Sequence, residues 1–335
     1  MSFQQPPRRL RILLWHIHGS YLFYLVQSPH EFYLPVKAGR PEGYVGRTDA
    51  YLWPENVHEI EVEDVPNLDI DCIVFQTRKN YFEDQYEILS ETQRQLPRIY
   101  IEHDPPREHP TDTRHHVDDP HILLVHVTHF NDLMWDSGRT PTKVIEHGVL
   151  VPEAITYTGE IERGLVVINN LRSRGRLLGL DIFEDVRKQL PLDLVGINAH
   201  ELGGVDSLSH RELLEFESHY RFVFNPIRYT SLGLAVCEAM MVGLPIIGLG
   251  TTEMATAITN GVSGYVDTNV KPLIEHMKRL LSNHEEAQRL GEGARRQALQ
   301  RFNIQRFASD WDEAFLSVTD GPPENASLRF QETKI

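Results

Sequence analysis

Cysteine is scarce: the chain has only Cys72 and Cys237, each inside an apolar segment and far apart in sequence. Two such thiols read as reduced core residues, and a disulfide framework is excluded. Long apolar runs are missing too. The longest candidate, Ile122 to Val127, is broken by His126 and falls far short of the roughly 20 residues that a membrane span needs. Positive charge is in short supply, with 33 Lys and Arg against 48 Asp and Glu and a net charge of -15. Nucleic-acid affinity comes largely from Lys and Arg displacing counterions, so nucleic acid is a poor partner. Acidic residues lead in the first half as well, which leaves no cationic face for anionic lipid and limits membrane contact to peripheral. Met1 to Arg11 is Pro-rich and basic without a secretory apolar region or cleavage site, so the expected location is cytoplasmic. No repeat of solenoid period is visible.

What is present is enough for two α/β domains: 335 residues, of which 41% are hydrophobic. Strand-like apolar runs alternate with amphipathic stretches at Leu10 to Ile17, Ile70 to Gln76, Arg98 to Glu102, Ile122 to Thr128 and Lys143 to Glu146. A second series follows at Leu165 to Ile168, Leu192 to Val195, Tyr220 to Phe224, Pro245 to Gly248 and Gly264 to Val266. Such alternation is the pattern of β-α-β units and predicts a parallel sheet in each half. The aperiodic stretch from Val149 to Arg163, with Pro152 and Gly159, is the natural linker. The expected division is 1–150, an N-terminal domain, and 151–318, a C-terminal one, with a ligand in the cleft between them. Helical periodicity takes over after Lys271, placing Leu273, Met277, Leu280 and Leu281 on one face and Ala287, Leu290, Ala294 and Leu299 on another. A last amphipathic helix spans about 303–318 with Phe307, Trp311 and Phe315. Residues 319–335 are expected to be a mobile tail, and Asn325-Ala326-Ser327 within it reads as a chance match to a glycosylation acceptor.

The most informative stretch runs from Phe222 to Ile247 and reads as strand, loop, helix, strand. Thr230 and Ser231 are suited to an N-cap, Ala235 to Met241 to helix, and Gly243 to a left-handed C-terminal cap before Pro245. A helix N-terminus carries unpaired N–H groups and a partial positive charge, so the backbone from Ser231 through Leu232 and Gly233 to Leu234 forms an anion site for a diphosphate. Glu238 follows Thr230 by about two helical turns. Its carboxylate either accepts from the two vicinal hydroxyls of a ribose or is simply a solvated helix residue.

The run Gly233-Leu-Ala-Val-Cys-Glu-Ala-Met-Met-Val-Gly-Leu-Pro-Ile-Ile247 resembles the donor-binding signature of retaining glycosyltransferases of the GT-B class, the family 4 (glycosyl transferases group 1) type. Gly250-Thr-Thr-Glu-Met-Ala-Thr-Ala-Ile-Thr-Asn-Gly-Val-Ser-Gly-Tyr-Val266 resembles the next element of the same family. Weaker similarity lies in His147-Gly148-Val149 and Ile101-Glu-His-Asp104. The resemblance implies two Rossmann-like parallel-sheet domains facing a central cleft, with the last helix returning to the N-terminal domain. It implies that Glu238 holds the donor ribose and that the Ser231 to Leu234 amides meet donor sugar and diphosphate. Thr230 stands where the family has a sugar-contacting glutamate, and Leu178 where it has a phosphate-binding lysine. Arg172 matches the family's phosphate-binding arginine, with Arg176 or Arg174 placed to compensate for the lysine. These arginines otherwise form a solvated loop, but their place after a strand favours ligand contact. His103 matches the family histidine that reaches the donor sugar, and would otherwise be structural. Gly19 and Ser20, in Trp15-His-Ile-His-Gly-Ser20 after the first strand, let a backbone approach the ligand or merely make a turn.

The His-rich stretch through His103, His109, His115, His116, His121, His126 and His129 shows none of the zinc spacings, so no metal is expected; the resembled class does not generally need one. The activity implied is transfer of a sugar from a nucleoside diphosphate sugar to a hydroxyl of a saccharide, lipid-linked or small-molecule acceptor, with retention and no cofactor. The alternatives are a sugar-nucleotide 2-epimerase on the same fold and a non-catalytic sugar-nucleotide binding protein.

Overall fold

The computed structural model describes residues 8–320 apart from Ser207. The N-terminal half runs β1 (Arg11–Leu14), α1 (Gly19–Leu25), β2 (Glu31–Val36), β3 (Val57–Glu61), β4 (Cys72–Phe75), α2 (Gln85–Ile88), β5 (Arg98–Glu102), β6 (Ile122–His126), α3 (His129–Met134) and β7 (Thr142–Val144). Its seven strands lie in the order β3-β2-β1-β4-β5-β6-β7, every pair parallel. The C-terminal half runs β8 (Ile161–Val167), α4 (Leu171–Arg174), α5 (Leu180–Val186), β9 (Leu192–Val195), α6 (His210–Ser218), β10 (Tyr220–Asn225), α7 (Leu234–Val242), β11 (Ile246–Leu249), α8 (Met254–Ala257) and β12 (Gly264–Asp267). Three longer helices follow: α9 (Val270–Ser282), α10 (His284–Arg301) and α11 (Ile304–Thr319). The five strands are ordered β12-β11-β10-β8-β9, again all parallel.

Central strands of a covered parallel sheet are buried on both faces and read as unbroken apolar runs. That is why β4 and β10, buried at every position, stand out in the sequence. The two strands that the apolar runs do not announce, β2 and β3, form one edge of the larger sheet. There β2 carries Pro35 and β3 is mostly half-exposed, so neither the long apolar run nor clean alternation survives. Between Lys271 and Arg301 the helical faces hold with one exchange: Leu299 is half-exposed, and the fully buried Ala298 completes the face with Ala287, Leu290 and Ala294.

Each sheet changes direction once. The chain fills the β2 and β3 side of β1 and then crosses to β4; it fills β9 beside β8 and then crosses to β10. Such switch points leave a crevice at the carboxyl ends of the strands, and the two crevices face each other. The halves are joined twice. Residues 145–160 lead across, and the chain returns where Asn303 caps α11 by accepting from the Arg306 amide. α11 then buries Phe307, Trp311, Ala314 and Phe315 against the N-terminal half, with Tyr21 of α1 edge-on to Phe307 and Trp311. Thr319 ends α11 and Asp320 caps it, so the expected mobile tail begins with helix; 321–335, with the Asn325-Ala326-Ser327 match, lies outside the described residues.

α7 has no polar face: Val236 through Val242 are all buried, Glu238 included. Its packing against α10 is close. Gly243 ends α7 at φ 106°, and the carbonyl oxygen of that residue occupies the space a Cβ on Gly291 would need. Glycine at 291 is therefore a packing requirement. No described helix is long and apolar enough to cross a membrane.

Candidate active site

The loop after β10 delivers α7 to the crevice, but the helix starts later than the capping residues predict. Gly233, at φ −74° and ψ 140°, is the N-cap, and no side chain caps it. The hydroxyls of Thr230 and Ser231 are engaged elsewhere. Ser231 Oγ donates to the His103 carbonyl at 2.6 Å, and Thr230 Oγ1 lies 3.4 Å from Asp104 Oδ1, both across the domain gap. Leu232 is buried, and its carbonyl accepts from His147 Nε2 at 2.8 Å. The turn thus comes to rest on the N-terminal half, with Gly233 and Leu234 leading α7 into the cleft. The first intrahelical bond is Val236 N to Gly233 O at 3.0 Å. The amides of Gly233, Leu234 and Ala235 accordingly precede the helical ladder, at its positive end. A Cβ on Gly233 would meet nothing within 4 Å, so the approach is open.

The cleft holds about 580 Å³. Its C-terminal wall includes Gly233, Leu234, Ala235, Glu238 and Asn169; its N-terminal wall includes His18, Gly19, Ser20, Tyr21 and Tyr51. Gly19 opens α1, and a Cβ there would sit 3.1 Å from the Tyr51 ring, whose hydroxyl is 2.9 Å from Ser20 Oγ. Glycine lets Tyr51 close in. Glu238 is 4% exposed, which excludes its reading as a solvated helix residue. Tyr24 O–H donates to Glu238 Oε1 at 2.6 Å, and His210 Nε2 lies 2.7 Å from that phenol oxygen. Two helical turns do not separate Thr230 from Glu238, because Thr230 precedes the helix.

His103 lies one layer back. His18 lines the cleft, and His103 packs against it with ring centroids 4.0 Å apart. Gln76 donates its amide to the Trp15 carbonyl and turns Oε1 to His103 Nε2 at 3.1 Å. His103 must therefore carry its proton on Nε2. Desolvation, with His18 and His147 nearby, pushes it well below the ordinary imidazole value and keeps it neutral. His147 is lowered to about 4 for the same first reason. The functional candidates that the sequence reading passed over are His18, Tyr21, Tyr24, Tyr51 and His210. His18 stood in the quoted Trp15-His-Ile-His motif; the others carried no local signal.

The arginines divide differently from the expectation. Arg172 donates to the Glu201 carbonyl at 3.0 Å, and Arg176 pairs with Asp181 at 2.5 Å; neither lines the cleft. Arg174 instead senses Asp104 and Arg107 of the opposite half, and desolvation there lowers its pKa. The reason is local. Residues 171–174 form a helical turn after the left-handed Asn170, so side chains two apart diverge by about 200° instead of aligning. His18, which lines the cleft, senses the same Asp104 and Arg107, so Arg174 shares charged neighbours with the cleft wall, although it does not itself line the cleft.

Among the described residues one histidine cluster has ligand-like proximity: Glu102, His115 and His116. Its hydrogen bonds argue for a structural role. His115 Nδ1 accepts from the Val117 amide at 3.1 Å, which places the proton on Nε2, and Nε2 donates to Glu102 at 3.0 Å. No lone pair of His115 is left for a cation.

A family model described as Glycosyl transferases group 1 matches residues 203–297, the span that contains α7 and Glu238. No curated protein matches the sequence significantly. Sucrose-phosphate synthase from Thermosynechococcus elongatus is similar in structure at 14% identity and a TM-score of 0.68, over 92% of this chain and 98% of that one. HepE of Anabaena, in complex with UDP and glucose, is similar at 15% identity and 0.69, over 92% and 100%. A glycosyltransferase from Rickettsia africae is similar at 12% and 0.61, over 93% and 99%. The shared architecture is GT-B: two parallel-sheet α/β domains facing a cleft.

Proposed function

We propose that the protein transfers a glycosyl group, of hexose type, from a nucleoside diphosphate sugar to an acceptor hydroxyl with retention of configuration. The observation that carries the proposal is the convergence, in one interdomain cleft, of the Gly233–Ala235 amides and the buried Glu238 carboxylate. A helix N-terminus suits the diphosphate and a held carboxylate suits the ribose. The family match over the same helix agrees with it, as does the UDP-bound state of a structural neighbour.

In the reaction so proposed, the acceptor oxygen bonds to the anomeric carbon as the bond from that carbon to the diphosphate oxygen breaks. The acceptor proton passes to the departing diphosphate. The helix amides are proposed to stabilise the charge that grows on the leaving group, with Arg174, which shares Asp104 and Arg107 as charged neighbours with His18, proposed as the arginine that assists. Apposed domains exclude the water that would hydrolyse the donor. Among the residues lining the cleft the one carboxylate is Glu238, which is bonded to Tyr24, and a front-side route needs no enzyme nucleophile. Two buried free thiols fit a reducing, cytoplasmic setting. With no His115 lone pair free for a cation, the transfer is proposed to run without a metal, and EDTA is expected to leave its rate unchanged.

The test is a panel of UDP-, GDP- and dTDP-sugars, scored for donor consumption with and without added saccharide acceptors. Sugar transfer or slow donor hydrolysis supports the proposal. Acceptor-independent isomerisation of a UDP-sugar would replace it with the epimerase reading, and binding without turnover with the binding-protein reading.

A further inference from the structure

Glu238 belongs to the C-terminal domain, yet its shortest bond comes from the N-terminal one. Tyr24, on α1, is fully buried and donates to Glu238 Oε1 at 2.6 Å. His210, the first residue of α6, sets Nε2 2.7 Å from the phenol oxygen and 3.5 Å from Oε1. The phenol has one proton and gives it to the carboxylate, so the imidazole must donate to the phenol. The result is a directed chain, His210 N–H to Tyr24 O–H to Glu238, that crosses from one domain to the other and back. Burial and the neighbouring Glu238 push the Tyr24 phenol well above its ordinary value, so the donor proton stays in place.

The contact is built as a socket. The His210 ring packs against Phe23, Tyr24 and Tyr51, and its backbone amide donates to the Ala50 carbonyl at 3.3 Å. All four of those partners are N-terminal, so the chain forms only when the domains are together. Among the described residues no group bonds Glu238 Oε2, and Glu238 lines the cleft. With Oε1 held, the plane of the carboxylate is set and Oε2 is presented to a ligand, which spares the rotational freedom that an unheld carboxylate would lose on binding.

We propose that Tyr24, steadied by His210, is a positioning residue that fixes the Glu238 carboxylate for vicinal ribose hydroxyls, so that reading the ribose depends on apposition of the two domains. The proposal rests on the nucleotide-sugar reading above.

Calorimetry separates the two. The probes are UDP and GDP, each against its 2′,3′-dideoxy form, on the wild type, Tyr24→Phe, His210→Leu and His210→Gln. The wild type is expected to bind the ribose form roughly tenfold or more tightly than the dideoxy form, the size of a charge-assisted hydrogen bond. Tyr24→Phe should erase most of that ratio while the dideoxy affinity stays within about twofold; His210→Leu should shrink the ratio, and His210→Gln, which keeps a donor, should restore it. If Tyr24→Phe keeps the full ratio, or weakens both forms alike as a merely structural residue would, the positioning role is overturned and the donor reading stands. A wild type that binds both forms equally removes the Glu238–ribose assignment and this role with it. A wild type that binds neither UDP nor GDP removes the donor reading as a whole.

Discussion

Glu217 on α6 offers a sharp physical test of the core behind the cleft. It is wholly buried, and neither carboxylate oxygen has a hydrogen-bond partner among the described residues. Burial, and secondarily the charge of Glu238, raises its pKa well above 4.5. A folded value above the unfolded one means that the native state holds the proton more tightly. The stability contributed by the Glu217 proton is then fully present below pH 4.5, falls as pH rises from there through the folded value, and is gone beyond it. Inside that window each pH unit removes about 1.4 kcal/mol. Glu217→Gln keeps the shape and abolishes the titration. Relative to the wild type it should gain stability as pH rises above about 5, by up to about 1.4 kcal/mol, or roughly 3–6 °C in Tm for a domain of this size, for each pH unit inside that window. Thermal melts at half-unit steps from pH 5 to 8 measure this. A wild type whose Tm runs parallel to that of Glu217→Gln across the whole range would refute the reasoning, because it would mean that Glu217 gains a partner or solvent in the native state.

Arg174→Ala is expected to lower kcat for donor turnover by about tenfold or more, as loss of a charge facing the leaving group would; Arg172→Ala, whose guanidinium is turned to Glu201, should stay within about threefold. Steady-state kinetics on both variants decides it, and the reverse ranking would return the role to Arg172. Gly291→Ala should destabilise the C-terminal half by about 1–3 kcal/mol, since the new methyl meets the Gly243 carbonyl; an unchanged urea midpoint would show that α10 can slide.

Apolar periodicity and helix punctuation carried the larger part of the architecture. The central strands β1, β4, β10 and β11 are legible because a parallel sheet covered on both faces demands continuous apolar side chains, and each such run is local in sequence. The edge strand β3 is not, because it is mostly half-exposed and the constraint relaxes; β2 beside it is mostly buried, but Pro35 interrupts its reading as a strand. The same division runs through the site. Glu238 and the glycine-led start of α7 lie within one 15-residue stretch, Gly233 to Ile247, whose helix signals are intrinsic to the chain.

What residues do across the cleft is a different kind of fact. Ser231 looks like a helix cap until the His103 carbonyl draws its hydroxyl away. Arg172 matches the phosphate ligand by position, while one short helical turn aims it at Glu201 and leaves Arg174 sensing Asp104 and Arg107 of the other half. Tyr24 lies 214 positions from the carboxylate it holds. The sequence by itself determined which segments become strands, which helix opens toward the cleft and which carboxylate that helix carries, since each depends on residues within a few turns of one another. Only the tertiary structure decided which of several chemically equivalent hydroxyls, imidazoles and guanidiniums meet there. That choice is made by the approach of two separately built domains, and no local pattern encodes the approach.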